Sequence, residues 1–235
     1  IHLEAGSVVT ESGTNLTLGG LVSTGANVSL VASRGSILDT AGDGLLDISS
    51  AGLYASAAGS FGTLGTGTTN AVETTVSTVA LRAATGGLRL SETDAVTVGS
   101  VSVTVNRVAN DGSTTPNSTL TQSGIATTAD NGSIIVDAGA LTVNENIIAH
   151  GSGGIVLDLA GALTLGTGKQ IASSTGSLDI VATGAVSLVG TGSISTTGGS
   201  IYVESGSTLT MANTALISTG SGTGDVILDA TGDMT

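Results

Sequence analysis

Four isoleucines recur at a constant spacing of 23 residues in the second half of the chain. They are Ile148, Ile171, Ile194 and Ile217, and the same order of Gly, Ser or Thr and alternating aliphatic residues surrounds each of them. A repeat of this length is typical of a solenoid, in which one repeat cannot bury its apolar face alone and must stack on its neighbours. The sequence therefore predicts a rod of stacked coils, each about 22–23 residues long.

Each repeat also contains two pairs of aliphatic residues at alternate positions. This period of two predicts short strands with one buried face. The first pairs are Ile134/Val136, Ile155/Leu157, Leu178/Ile180, Ile201/Val203 and Val226/Leu228, and the second are Leu141/Val143, Leu163/Leu165, Val186/Leu188 and Leu209/Met211. With the isoleucine column as a third side, each coil has a roughly triangular cross-section.

The expected fold is an all-β, right-handed parallel β-helix, because parallel crossover connections are almost always right-handed. About ten coils at about 4.8 Å per coil predict a rod of roughly 50 Å. Thirty-seven glycines, one proline and three aromatic residues fit many tight turns around a thin aliphatic core. The absence of cysteine leaves stacking, and neither disulfides nor thiolate metal sites, to stabilise the fold.

The whole chain, residues 1–235, is expected to be one solenoid segment with two insertions. Coils in the first half are less regular, and Val28, Leu30 and Ile37 are their best-placed inward residues. A Gly- and Thr-rich surface loop is expected near 59–70. A hairpin or loop is expected near 101–123, where alternating valines precede an Asn-Asp-Gly turn and the only proline.

The net charge of −13 makes binding to nucleic acid or to an anionic membrane surface unfavourable, and both partners are excluded. No apolar run reaches membrane-spanning length, so no membrane insertion of this segment is expected. The chain starts at Ile1 without the charged and apolar regions of a signal peptide, which is expected of a mature product or a fragment.

Stacking places equivalent outward residues above one another, and one such column is mostly acidic. It contains Asp137, Asp158, Val181, Glu204 and Asp229. Its four carboxylates, Asp137, Asp158, Glu204 and Asp229, are candidate ligands for weak Ca²⁺ binding, since this ion prefers oxygen ligands. The alternative is a solvated acidic edge that keeps the rod soluble and discourages lateral pairing. No cofactor is predicted.

A second outward column consists of hydroxyl residues, namely Thr97, Thr142, Thr164, Ser187 and Thr210. Threonine ladders suit exposed parallel strands because the branched side chain favours β-geometry. Only one outward position per coil keeps the pattern, whereas an ice-binding surface requires paired rows.

Catalysis is not expected. His2 and His150 lie many coils apart and have no His or Cys partner at ligand spacing. Glycan-cleaving β-helices need clustered acids or basic groups with aromatic sugar platforms. The cations do not gather into one cleft with aromatic residues; they are Arg34, Arg82, Arg89, Arg107 and Lys169.

Several segments of the sequence resemble a known family. Three of them are Gly-Ala-Leu-Thr-Leu at 161–165, Gly-Ala-Val-Ser-Leu at 184–188 and Gly-Ser-Ile-Ser-Thr-Thr-Gly-Gly-Ser-Ile at 192–201. Residues 79–90 and 98–101 are two more. These segments resemble the β-helical shafts of filamentous-haemagglutinin-like exoproteins and giant autotransporter adhesins. The resemblance implies secretion across an outer membrane and a role in adhesion, aggregation or a surface sheath. The N-terminal secretion domain of the two-partner-secreted family has no counterpart in this sequence, so the segment resembles shaft.

The first functional hypothesis is a structural or adhesive component of a bacterial cell-surface fibre or sheath, located outside the cell. Neither end of the chain carries an amphipathic cap, which favours head-to-tail or lateral self-association or continuation into a longer chain. Glycans or proteins of a host or neighbouring cell are candidate partners. The alternative hypothesis is a glycan-binding or glycan-cleaving β-helix.

Overall fold

The chain folds into short parallel strands. A computed structural model describes residues 1–6, 13–40, 44–65, 71–108 and 110–235, without the side chains of 107–108 and 115–118. Within these ranges there is no α-helix, and hence none long and apolar enough to cross a bilayer. The strands are β1 (His2–Ala5), β2 (Leu16–Leu18), β3 (Val22–Ser23), β4 (Asn27–Ala32), β5 (Ile37–Asp39), β6 (Ile48–Ala57), β7 (Val72–Ala83), β8 (Leu88–Val98), β9 (Ser100–Val108), β10 (Thr114–Ser123), β11 (Ile125–Thr127), β12 (Ile134–Val143), β13 (Ile147–Ala149), β14 (Ile155–Leu159), β15 (Leu163–Leu165), β16 (Gln170–Ser173), β17 (Leu178–Ala182), β18 (Val186–Leu188), β19 (Ser193–Ser195), β20 (Ile201–Ser205), β21 (Leu209–Met211), β22 (Leu216–Ser218) and β23 (Val226–Ala230).

Three parallel faces wind around one axis. Face 1 contains β2, β5, the first halves of β8 and β12, and then β14, β17, β20 and β23. Face 2 contains β3, parts of β6 and β7, the second halves of β8 and β12, and then β15, β18 and β21. Face 3 contains β1, β4, the ends of β6 and β7, and then β11, β13, β16, β19 and β22. The predicted parallel β-solenoid with stacked coils is confirmed.

The solenoid has about nine turns, one fewer than the sequence predicts. A count of ten follows from dividing the whole chain by the repeat length, but residues 100–123 leave the shaft as an antiparallel hairpin of β9 and β10. That excursion consumes about one coil. Nine layers about 4.8 Å apart give a rod of roughly 40 Å.

Aliphatic side chains fill the interior as vertical columns. On face 1, Ile134, Ile155, Leu178 and Ile201 are successive Cα partners and are all buried. Burying a Val, Leu or Ile side chain contributes about 1.5–3 kcal/mol. Because the interior of each coil closes only against its neighbours, the periodic sequence and the stacked fold depend on one another.

The isoleucine column of face 3 contains Ile147, and not Ile148 as the constant spacing of 23 predicts. Ile147 is the Cα partner of Ile171 and is fully buried, whereas Ile148 pairs with Ala172 and is half-buried on the outer side. A one-residue shift in a strand moves each side chain to the opposite face. The coil between Ile147 and Ile171 is one residue longer, so equal spacing in the sequence does not mean equal register.

The Gly- and Thr-rich stretch at 59–70 is not a surface loop from its start. Phe61 bridges Ile37 and Leu88 on face 1 and is fully buried, so it acts as a core residue of its coil. The prediction of a loop is therefore wrong for Phe61. The prediction is based on the Gly- and Thr-rich composition of the stretch, which does not indicate that one aromatic residue within it points inward. Residues 66–70 lie outside the described part of the chain.

Glycines form a ladder at the corner between faces 3 and 1. A Cβ atom on Gly176 would lie 2.1 Å from the carbonyl oxygen of Gly153, and one on Gly199 would lie 2.3 Å from that of Gly176. Gly132, Gly153 and Gly224 have the same close contact with the carbonyl oxygen of the preceding layer. This corner requires glycine because the backbones of adjacent coils touch, whatever the φ angle.

The hairpin packs against the shaft at its base. Val101 and Val103 are buried against Ala80 and Tyr54, which are outward residues of β7 and β6. The amide nitrogen of Asn27 donates a hydrogen bond to the Ser102 carbonyl oxygen at 2.9 Å. The hairpin therefore covers part of face 3 and does not protrude freely from the shaft.

Candidate functional site

The predicted acidic column is in register on the outer side of face 1. Asp137 pairs with Asp158, Asp158 with Val181, Val181 with Glu204, and Glu204 with Asp229. Adjacent strands lie about 4.8 Å apart, so neighbouring carboxylates repel one another.

The column continues into the first half of the chain, where sequence reasoning missed it. Ser91 is the Cα partner of both Asp137 and Glu73. Asp47 precedes Glu73 by one layer, since its backbone N–H donates to the Glu73 carbonyl oxygen at 3.0 Å. We call the full set the acidic ladder: Asp47, Glu73, Ser91, Asp137, Asp158, Val181, Glu204 and Asp229. Asp47 and Glu73 each lie next to an inward aliphatic residue, which indicates that they point outward. The irregular length of the coils in the first half prevents the sequence from predicting that these two acids align with the column.

One arginine partly neutralises the centre of the acidic ladder. The Arg89 guanidinium donates to Asp137 Oδ2 at 3.4 Å and to the Gly65 carbonyl oxygen at 2.6 Å. Burial raises the pKa of Asp137, the charge of Arg89 opposes that shift, and Asp158 adds to it. Arg89 is itself buried, so this ion pair belongs to the wall of the shaft and is not a free binding group.

Glu73 occupies the most unfavourable position for a charge on the ladder. Its side chain is almost buried, and within the described residues neither of its carboxyl oxygens has a hydrogen-bond partner. Burial, together with the nearby carboxylates of Asp47 and Asp39, raises the pKa of Glu73 to about 7. The Glu73 carboxyl therefore changes between its protonated and charged forms near neutral pH, because burial and neighbouring negative charges destabilise the charged form.

Glu92 is a buried acid with a structural role. Its Oε2 atom accepts hydrogen bonds from Thr74 Oγ1 at 2.7 Å and from the Val76 backbone N–H at 3.0 Å. Its Oε1 atom accepts one from the Asp94 backbone N–H at 3.2 Å. The register of β7 against β8 shifts between Thr74 and Thr78, so Glu92 satisfies backbone donors that the shifted ladder leaves unpaired. Burial raises its pKa even though these hydrogen bonds oppose the shift.

The acidic ladder supplies single carboxylates layer by layer. In the described ranges no group of three or more His, Asp or Glu side chains is arranged to hold a metal ion. Glu204 also accepts a hydrogen bond from the Tyr202 hydroxyl at 2.7 Å, which raises the pKa of Tyr202 to about 12. Weak Ca²⁺ binding by Asp137, Asp158, Glu204 and Asp229 stays a prediction.

A groove of about 530 Å³ follows the acidic ladder on face 1. Arg89, Asp137, Asp158 and Thr183 line it, and in the described part of the chain no aromatic residue does. Asp137 and Asp158 come from adjacent strands, at a spacing near the roughly 5 Å of carboxylate pairs in retaining glycosidases. The groove has the acids of such a site but no flat apolar surface on which a sugar ring could rest.

The threonine column is also in register, on the outer side of face 2. Pairing extends it by one layer to Thr78, the Cα partner of Thr97. The complete column is Thr78, Thr97, Thr142, Thr164, Ser187 and Thr210. It is a single row of hydroxyl groups.

The histidines and most cations are dispersed, as the sequence suggests. His2 lies in β1 and contacts Ser29 and Glu4, whereas His150 follows β13. Lys169 forms an ion pair with Glu145 at 3.0 Å. The side chain of Arg107 lies outside the described part of the chain.

A second, smaller cleft lies between the hairpin and face 3. It has a volume of about 350 Å³, and Tyr54, Ser56, Arg82, Thr121 and Gln122 are among the residues that line it. The amide nitrogen of Gln122 donates to the Ala55 carbonyl oxygen at 3.0 Å and ties β10 to the shaft. The sequence does not predict this cleft, because the stacking of β6 on β7 brings Tyr54 next to Arg82 and only the fold-back of the hairpin adds Gln122. Arg82 thus meets an aromatic residue in this cleft, whereas Arg34, Arg89 and Lys169 do not line it.

Comparison with protein-family models, with curated proteins and with solved structures found no match.

Proposed function

We propose that the chain is a structural and adhesive component of a bacterial cell-surface fibre or sheath, as a shaft segment of a large secreted β-helical protein. The observation that carries this proposal is the unbroken stack of about nine coils, in which all three faces hydrogen-bond along the rod axis. An extended rod of this kind supports a load along its length and presents its sides to other surfaces.

The surface of the rod fits an extracellular role as a spacer. The net charge of −13 and the acidic ladder make neighbouring rods repel one another at low ionic strength. The hydroxyl column of face 2 is neutral and hydrated. We expect self-association along the axis or continuation into a longer chain, and contacts with glycans or proteins of other cells through the sides.

We propose that the shaft itself is not catalytic. Its acidic groove contains Asp137 and Asp158, but Asp137 is held in the ion pair with Arg89, and none of the described residues that line the groove is aromatic. A screen for reducing-end release from acidic and neutral glycans tests this statement. Hydrolysis by the wild-type chain that an Asp158→Asn variant loses would contradict it.

A glycan-binding β-helix is the second candidate function. The observation that favours it is the cleft beside the hairpin, where an aromatic residue, an arginine and the side-chain amide of Gln122 meet. This candidate is compatible with adhesion, because a fibre adheres through such sites.

Electron microscopy and hairpin excision test the first proposal together. Negative-stain images of native material should show continuous thin fibres, and isolated globular particles would contradict the proposal.

Gly99 and Gly124 are joined by a backbone hydrogen bond of 2.9 Å at the base of the hairpin, so residues 100–123 can be replaced by a short Gly-Ser linker. The excised chain should keep its β-rich circular dichroism spectrum and its fibres, and should lose attachment of protein-coated beads to target cells. Loss of the β-rich spectrum would show that the hairpin belongs to the shaft, and unchanged attachment would place adhesion elsewhere on the rod.

A further inference from the structure

We propose that the cleft between the hairpin and face 3 binds a carboxylate-bearing saccharide, with Arg82 holding the carboxylate and Tyr54 contacting the sugar ring. We call it the hairpin cleft. This inference deepens the adhesive part of the proposed function and rests on it for its biological use.

Arg82 is the charged group of the hairpin cleft. It is exposed, and its guanidinium forms no hydrogen bond or ion pair with any residue that the structure describes. Two other cations, Arg89 and Lys169, are already paired with carboxylates. Among the residues that the structure describes, none that lines the hairpin cleft is acidic. In a chain with five Lys and Arg against eighteen Asp and Glu, this cleft is thus a local site for a negative charge.

Tyr54 provides the flat apolar surface that the acidic groove lacks. Its ring is partly buried against the valines of the hairpin, which fix its orientation. Tyr54 pairs with Ala80 and Arg82 with Ser56, so Tyr54 and Arg82 are diagonal neighbours on adjacent strands. Pockets that combine an aromatic wall with a few fixed polar groups are the usual form of small-ligand sites.

Gln122 is the polar side chain that the hairpin turns toward the shaft, because it pairs with Val101, which is buried there. The hydroxyl pairs Ser100–Ser123 and Ser102–Thr121 lie on the opposite, exposed face of the hairpin. Since the nitrogen of Gln122 is engaged with the Ala55 carbonyl oxygen, its side-chain oxygen is left to accept a hydrogen bond. A sugar hydroxyl group can donate to this oxygen, and a sugar oxygen can accept from the Arg82 guanidinium.

A saccharide fits the hairpin cleft better than an acidic peptide does. One guanidinium binds one carboxylate in a bidentate manner. A polyacidic segment would bring further charges to a chain of net charge −13, which repels them. A sugar acid has one carboxylate and several hydroxyl groups, and a volume of about 350 Å³ lies at the small end of ligand pockets.

Isothermal calorimetry with the full chain tests the assignment. The probes are oligosaccharides that contain glucuronic, galacturonic or sialic acid, their methyl esters, and an acidic peptide. We expect at least one acid to bind and its methyl ester to bind at least tenfold more weakly, because the ester lacks the negative charge that accepts charge-assisted hydrogen bonds from Arg82. Absence of binding by all three acids, equal binding of acid and ester, or stronger binding of the peptide would overturn the assignment.

Variants then locate the site. Arg82→Gln should lose at least tenfold in affinity, and Arg82→Lys should lose less because it keeps the charge without the planar fork. Tyr54→Ala should weaken acid and ester alike. Arg34→Gln is the matched control, because Arg34 is also exposed but does not line the cleft, and it should bind as wild type does. Unchanged affinity in Arg82→Gln, with an unchanged circular dichroism spectrum, would refute the site.

The same variants separate this inference from the proposed function. If fibres of the Arg82→Gln variant attach to cells as well as wild-type fibres do, the adhesive role of the shaft is retained. The hairpin cleft is then refuted as the site of adhesion. Saccharide binding by a chain that forms no fibres leaves the cleft standing and removes the shaft role.

Discussion

Replacing each of the two adjacent isoleucines of β13 should give very different losses of stability. Ile147 is fully buried in the isoleucine column, whereas Ile148 is half-buried on the outer side between Ala126 and Ala172. Ile147→Ala removes three buried carbon groups at about 0.8 kcal/mol each, or about 2.4 kcal/mol. The cavity left behind raises the expected loss to about 3–4 kcal/mol. For Ile148→Ala we expect a loss below about 1 kcal/mol.

The comparison is internally controlled. Both residues lie in the same strand, so the lower β-propensity of alanine affects both variants alike. Urea denaturation followed by circular dichroism gives the change in the free energy of unfolding, and amide hydrogen exchange shows whether protection is lost in the layers next to β13. A greater loss for Ile148→Ala than for Ile147→Ala would refute the pairing of Ile147 with Ile171 and restore the register that constant spacing predicts.

Three further predictions concern the glycine ladder, the buried acid and the calcium hypothesis. Gly176→Ala should destabilise the chain by about 1–3 kcal/mol in urea denaturation, because its Cβ meets a backbone carbonyl. Gly25→Ala, with open space around its Cβ, should change stability by less than about 1 kcal/mol, and equal losses would contradict the ladder. The pKa of Glu73 is raised from 4.5 to about 7. The contribution of protonated Glu73 to the stability of the fold is therefore complete below pH 4.5 and is lost as the pH rises through 7. The stability of Glu73→Gln relative to wild type should thus increase between pH 5 and 8, and a difference that stays constant with pH would argue against a buried proton. Calorimetric titration with Ca²⁺ should give at most weak heats that Asp158→Asn reduces, and no heat together with no shift in melting temperature would remove the calcium hypothesis.

The fold could be predicted from the sequence because a solenoid repeats its physical requirements in every coil. From Ile134 to Leu209, the aliphatic pairs on faces 1 and 2 are buried where their alternation predicts. The prediction is wrong for Val226, which is exposed, and Met211 and Leu228 are only partly buried. The errors occur where one coil differs from the next. Ile148 has the right spacing in the wrong register, and Phe61 is a single core residue within a stretch that composition alone assigns to a loop.

The candidate sites were less predictable, because they depend on contacts between distant strands. The second half of the acidic ladder follows from the repeat, but Asp47 and Glu73 join it only through the pairing of irregular coils. The hairpin cleft forms only because the hairpin folds back over β6 and β7. The repeat pattern of the sequence does not predict on which strands the hairpin packs.

The in-register stack is tested most directly by a distance between two labels on one column. The chain contains no cysteine, so Thr97→Cys and Thr210→Cys introduce unique spin-label sites on the outer side of face 2. These positions are linked by four successive strand pairings through residues 142, 164 and 187. Pulsed electron paramagnetic resonance should give a narrow distribution near about 19 Å, four layers at about 4.8 Å each. A broad distribution, or a distance beyond about 35 Å, would contradict the stacked solenoid.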